Sequence, residues 1–354
     1  MTTPNVLHDD KFYLADGDLA ICSAASPEGA TTVFRVHKAY MTYNSPVFRD
    51  ILGLPAGGDD QEMHDGVPVV RVTDSAEELH AFLDALYTPG APTVPRWRPD
   101  APLLLTPIMR LATKYQVDAL RTHIIALIED SWPRTFTQWL RFDGELRMLK
   151  NLHAAGLRGA EAFIDAVPEP ASAIRFAREF DAPAILPFAY YTLAGIAYSC
   201  KWETRHGPFD PAVDVDSQGP LRAARWELLD AVDLARIVDG RERLIDSVQS
   251  LCMLRDEGCV RGCLTPPLRR TGAQCRSEGS CEDRIPVVAE WLAKFSEVSY
   301  FGAIRPDPLG VVENMFGGQS QWGICEACDQ EMVAMIREWQ TSEWESLPTT
   351  FNLE

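Results

Sequence analysis

The chain has 354 residues, 46% of them hydrophobic and 24% charged, with a formal net charge of −18. That length suits about two domains, each with its own core. The acidic balance argues against nucleic acid and anionic membranes as partners. Both are bound through clustered Lys and Arg, and the densest basic runs are only Arg96-Trp97-Arg98 and Arg269-Arg270.

The first ten residues carry neither a basic start nor an apolar run, so no signal peptide is expected, and no Asn-x-Ser/Thr sequon occurs. The expected location is intracellular, cytoplasmic or nuclear, where the nine cysteines are thiols or metal ligands and not disulfides.

Taken in order, Leu19-Ala20-Ile21-Cys22 reads as a buried strand after the turn Asp16-Gly17-Asp18. Beyond the polar turn Ser26-Pro27-Glu28-Gly29, Phe34 and Val36 alternate with Arg35 and His37, the period of a half-buried strand, so the two runs predict a hairpin. Ser45-Pro46 opens a helix, Ser as N-cap and Pro at the first helical position, with Val47, Phe48, Ile51 and Leu52 inward. Residues 55–66 read as an exposed loop and 67–72 as a third strand. Ser75 and Glu78 form a capping box, the clearest local signal in the chain. The helix after it sets Leu79, Phe82, Leu83, Leu86 and Tyr87 in one stripe. Further helices are predicted from about Thr106-Pro107 and from Asp118. Two strands, a helix, a strand and three more helices make an α+β pattern over residues 12–130.

Residues 131–354 read as mainly helical. Helices are predicted over 136–155, 171–180, 184–198 and 221–254, the second and third as an αα-hairpin joined at Asp181-Ala182-Pro183. Residues 182–200 carry no charge, but Pro183, Pro187 and Gly195 interrupt the run, so a buried helix is expected and not a membrane span. A last helix, about 326–344, is expected to face Met332, Met335, Ile336 and Trp339 inward.

The N-terminal runs carry a resemblance. Asp16-Gly17-Asp18-Leu19-Ala20-Ile21, then Phe34-Arg35-Val36-His37-Lys38, then Ser45-Pro46-Val47-Phe48-Arg49-Asp50 resemble the BTB/POZ domain. Residues 65–79 resemble the BTB proteins abundant in mushroom-forming fungi. So, more loosely, does the C-terminal region, through its closing C-x2-C and the ending Trp344-Glu345-Ser346-Leu347-Pro348-Thr349-Thr350-Phe351. The resemblance implies a BTB/POZ fold followed by a helical, cysteine-containing domain, and a non-enzymatic module for protein–protein interaction. It implies homodimerisation or scaffolding, or service as a substrate adaptor of a cullin-type ubiquitin ligase. The segment before Phe12 reads as short and polar, with little strand to offer a partner copy. Asp18, His37, Lys38, Ser45 and Phe48 match motif positions. Asp18 and His37 are expected to be buried and hydrogen-bonded within the fold, leaving Lys38 to face a partner.

Seven of the nine cysteines fall between Cys252 and Cys328. Thiolate pairs at these spacings suit a tetrahedral structural zinc site. The pair Cys325 and Cys328 is expected to complete it with Cys275 and Cys281, the pair the fungal resemblance favours; Cys259 and Cys263 are the alternative. No Walker A, H-E-x-x-H, G-x-S-x-G or G-x-G-x-x-G motif is present. A metal-dependent catalyst in the C-terminal half is the competing class, to be told apart by an open zinc position.

Overall fold

The computed structural model describes residues 5–54, 62–154, 167–204, 223–252, 309 and 326–353. The chain divides into two compact units, Met1–Ser131 and Trp132–Glu354.

In the first unit, β1 (Asn5–Tyr13) lies parallel to β3 (Ala30–Val36), and β3 forms the predicted hairpin with β2 (Leu19–Cys22). β2 runs parallel to β5 (Val67–Arg71), and β5 turns back on β4 (Met63–His64), giving the order β1-β3-β2-β5-β4. β1 corrects the expectation of little strand before Phe12. It is an edge strand held by backbone pairing, so it needs no apolar alternation, and only Phe12 of its nine residues is buried. β4 falls in what reads as a loop. Its turn is Asp65-Gly66, both at positive φ (46° and 79°), the backbone that a two-residue hairpin of type I′ requires.

β2 is buried on both faces. Leu19, Ile21, Phe34 and Val36 share one face under the helices, all at full burial. On the other face Ala20 and Cys22 form a small cluster with Val33 and Val67, and Tyr13 and Val69 pack against it. The turn before β2 is tight because a Cβ on Gly17 would stand 3.0 Å from Arg35 backbone carbon; Arg35 Nε donates to the Gly17 carbonyl at 2.7 Å.

Among the described residues five helices accompany the sheet: α1 (Lys38–Asn44), α2 (Pro46–Gly53), α3 (Ala76–Tyr87), α4 (Ala101–Lys114) and α5 (Asp118–Glu129). The capping box of α3 is formed, Ser75 Oγ accepting from Glu78 N at 3.2 Å and Glu78 Oε2 from Ser75 N at 3.4 Å. α4 starts five residues before the predicted Thr106, because Pro102 sits in its first turn, where a missing N–H is harmless. The helix then runs on through Pro107.

In the second unit α6 spans Phe136–Ala154, α7 Pro170–Phe180, α8 Leu186–Ala194 and α9 Ala231–Cys252, and a final helix spans Glu326–Thr350. Asp181, at φ 56°, ends α7, and the 3-10 turn Pro183–Ile185 leads into α8, so the predicted αα-hairpin is present with a shorter second arm. Among the described residues no helix is long and apolar enough to cross a membrane.

α9 buries a polar residue and leaves apolar ones outside. Val232, Leu234 and Val238 are exposed, whereas Asp233, Ile237, Gly240 and Leu244 are buried. Asp233 is the reason. Its carboxylate accepts from Arg178 Nη1 of α7 at 2.6 Å and from Tyr190 Oη of α8 at 2.5 Å. It also accepts from Asp230 N at 3.2 Å, while Asp230 Oδ1 accepts from Asp233 N at 2.9 Å, a reciprocal cap. One buried carboxylate thereby ties three helices and fixes which way α9 is rotated. In the final helix the described buried stripe is Gln340, Trp344 and Leu347, followed by Phe351. Of the predicted stripe, Trp339 is half-buried, and the side chains of Met332, Met335 and Ile336 lie outside the described residues.

Candidate functional site

Four of the five motif residues, His37, Lys38, Ser45 and Phe48, run from the end of β3 into α2, and Asp18, just before β2, meets the start of α1. Lys38 begins α1, and its backbone N–H donates to Asp18 Oδ1 at 2.5 Å. A carboxylate at a helix N-terminus meets free N–H groups and the positive end of the helix dipole. Asp18 is hydrogen-bonded within the fold as expected, but it is exposed and not buried.

His37 is likewise not buried: its side chain is 36% exposed. Its backbone does more than its ring. The His37 N–H donates to Tyr87 Oη at 3.0 Å, and its carbonyl accepts from Met41 N at 3.0 Å as the helix N-cap. The ring makes longer contacts, 3.4 Å to Tyr87 Oη and 3.3 Å to Asp16 Oδ1. The hydrogen bond from His37 holds the Asp16 carboxyl below its ordinary range. Burial pushes the Tyr87 hydroxyl up.

Ser45 and Phe48 are fully buried, so neither can touch a partner. Ser45 Oγ accepts from Phe48 N at 3.1 Å, as the N-cap of α2, and donates to the Tyr115 carbonyl at 2.6 Å. Phe48 packs against Tyr115, the rings tilted by 31° with centroids 4.7 Å apart. Tyr115 Oη in turn donates to buried Asp74, which also accepts from Lys114 Nζ at 2.6 Å and 2.7 Å. The motif serine and phenylalanine therefore anchor α2 to the end of α4.

What the motif presents outward is Lys38 and a set of apolar side chains beside it. Tyr43 of α1 is 83% exposed, Leu54 at the end of α2 is 72% exposed, and Ile51, expected to face inward, is exposed as well. Isolated apolar side chains on a surface are ordinary; three on two consecutive short helices mark a candidate contact surface. Helix periodicity put Ile51 on the inner face; burial of Phe48 alone satisfies α2, which is too short to bury more.

Cys22 and Cys200 are free thiols. Burial pushes the Cys22 thiol up, which opposes the thiolate a nucleophile needs. Cys259, Cys263, Cys275, Cys281 and Cys325 and the side chain of Cys328 lie outside the described residues. Among the described residues one group has ligand atoms close enough to share an ion: His8, His64 and Asp65, all within 4.8 Å of one another. Sequence spacing gives no sign of it, since 56 positions separate the two histidines.

Residues 26–131 match the sequence profile of the BTB/POZ domain. The match takes in His37, Lys38, Ser45 and Phe48 and begins after Asp18, and it fits the α+β architecture of the first unit. BTB/POZ domains generally mediate protein–protein interaction. No curated protein matches the chain.

Proposed function

We propose that the first unit is a docking module for another protein, and that the face carrying Lys38, Tyr43, Ile51 and Leu54 is where the partner binds. The observation that carries this reading is the outward turn of Tyr43 and Leu54 on helices whose inner residues, Met41 and Phe48, are fully buried. Burying an apolar side chain of that size stabilises a complex by about 1.5–3 kcal/mol before ordering costs are subtracted. A second copy of this chain is the first partner to test, since like patches pair across a two-fold axis. Sedimentation of the full chain over a concentration series tests it. A dimer that the double variant Tyr43→Ser, Leu54→Ser converts to monomer at unchanged melting temperature supports the reading. A monomer in both sinks the homodimer.

The adaptor reading rests on the BTB resemblance, and affinity purification that recovers a cullin would favour it. The zinc proposal rests on cysteine spacing and on the resemblance of the C-terminal region to fungal BTB proteins. In it Cys275, Cys281, Cys325 and Cys328 hold a structural zinc, with Cys259 and Cys263 as alternatives. Purified protein with no zinc by elemental analysis, and no loss of structure on chelation, would remove it.

A further inference from the structure

The two edges of the sheet meet. In a flat five-stranded sheet β1 and β4 would stand about 19 Å apart. Here His8 Nε2 on β1 and His64 Nε2 on β4 are 3.1 Å apart, so the sheet curls around the small cluster of Ala20, Cys22, Val33 and Val67. The rim of that curl carries His8, His64 and Asp65. From these residues we propose a surface site for a borderline divalent transition metal, of the zinc, nickel or copper class, that clips β1 to the β4–β5 turn.

Three observations converge on it. First, the spacing suits shared coordination: two nitrogens bound to one tetrahedral zinc lie about 3.3–3.4 Å apart. Second, the donors are of the right chemistry, since imidazole nitrogen selects these metals over calcium and magnesium, and a carboxylate completes a three-ligand set. The Asp65 carboxylate lies 4.0 Å from His64 Nε2 and within 4.8 Å of both histidines' ligand atoms, so its exposed side chain needs a shift of at most about 1.5 Å to join. Third, the ligands are held in place by their neighbours. The Tyr13 ring stacks on His8 at 3.8 Å with the planes 10° apart, and Tyr13 Oη donates to Asp65 Oδ2 at 2.5 Å. The Asp65-Gly66 turn fixes the backbone of both Asp65 and His64. Supporting contacts of this kind orient metal ligands.

The nearby charges are already engaged elsewhere. Arg35 Nε donates to Gly17, and Glu62 pairs with Arg71. Three protein ligands leave room for water, so the site would hold its ion open to solvent. Its effect would be on β1, the strand at the end of the sheet, which pairs with β3 along one edge and is mostly exposed. This inference is independent of the docking face on α1 and α2.

The test uses the full chain, stripped of metal and titrated with Co2+ and with Zn2+, as wild type, His8→Ala and His64→Gln. Circular dichroism verifies that the variants are folded; His8 is exposed, so its removal leaves the core intact. The wild type should take up one more equivalent than either variant. The cobalt difference spectrum should show ligand-field bands without thiolate-to-cobalt charge transfer, which separates this site from any cysteine site. Zinc should also slow hydrogen exchange of the β1 amides several-fold in wild type and in neither variant. Equal uptake by all three proteins, or a difference spectrum with thiolate charge transfer, overturns the site.

Discussion

The Phe351 ring lies so close over Gly240 that a Cβ there would stand 2.1 Å from ring carbon Cε1. Gly240 is mid-helix in α9, where glycine ordinarily weakens a helix by about 1 kcal/mol relative to alanine. Here it makes room for the Phe351 ring. Phe351 also stacks near Tyr190 at 5.7 Å, and Arg243 Nη1 donates to the carbonyls of Thr349 and Thr350 at 2.8 Å each.

Gly240→Ala should therefore destabilise the second unit, by about 1–3 kcal/mol, as overpacking does, instead of gaining helix propensity. The sign should reverse in a Phe351→Ala background, where nothing opposes the new methyl. Urea melts of the two single variants and the double variant measure this. Additive effects would show that the close approach is not what glycine serves there.

The register of β1 on β3 slips between His8 and Tyr13, so Asp9–Phe12 leaves the ladder. Asp9 recovers the stranded N–H groups: its Oδ1 accepts from Lys11 N at 3.0 Å and Phe12 N at 2.8 Å, and its Oδ2 meets His80 Nδ1 of α3 at 2.8 Å. Burial alone would raise this carboxyl, but the bonds from His80 and the two amides outweigh it and hold it below 3.8. A carboxylate depressed in the folded state contributes stability above its unfolded value, lost as pH falls through the folded one. Asp9→Ala should cost about 1–3 kcal/mol and speed exchange of the β1 amides. It should also flatten the decline of stability on acidification below about pH 4. An unchanged acid limb in the variant would assign that decline to other groups.

Tyr115 and Tyr190 are the alkaline counterparts. Burial, with the hydrogen bond to Asp74, pushes the Tyr115 hydroxyl above its ordinary value of 10.0. Burial and Asp233 do the same for Tyr190. In the unfolded chain both phenols ionise near their ordinary value, while the folded protein keeps its protons. Stability is thus fully present below about pH 10 and falls as pH rises beyond it. Phenolate absorbance should appear for these two tyrosines only on unfolding. Tyr115→Phe should reduce the slope of stability against pH above 10, and stability that is flat there in wild type would refute the assignment.

Much of this architecture is legible in the residues, and what is not has physical causes. The β2–β3 hairpin, the capping box at Ser75 and the stripe Leu79, Phe82 and Leu83 are local patterns, and they fold as local patterns should. Edge strand β1 carries no apolar period because only its backbone is paired. The Asp65-Gly66 hairpin falls in what reads as a loop, because β4 is two residues long and shows no alternation. α9 turns its polar Asp233 inward because Arg178 and Tyr190, more than 40 positions away, wait for it. Of the candidate site, the motif picks out the segment from the end of β3 into α2 without separating Ser45 and Phe48, which are buried, from Lys38, which faces out. The pairing of His8 with His64 depends on sheet curl, which no short-range pattern encodes.

That separation within the motif gives the sharpest prediction. Ser45 is buried, caps α2 and donates to Tyr115, so Ser45→Ala removes a cap and leaves a buried carbonyl without its donor. The expected loss is about 1–2 kcal/mol, seen as a lower melting temperature. Lys38 contributes its backbone N–H to Asp18, a bond that Lys38→Ala leaves in place, so its stability should stay within about 0.5 kcal/mol of wild type. His37→Ala should fall near the same small value, because its ring is part-exposed and its better contacts belong to the backbone, with at most about 1 kcal/mol at stake. Partner binding should order the variants differently. Lys38→Ala weakens binding at full stability, whereas Ser45→Ala weakens it only as far as it unfolds α2. Thermal melts read beside a binding isotherm for each variant decide between the two roles. Loss of binding in Ser45→Ala at unchanged stability would put the docking face somewhere other than the outer side of α1 and α2.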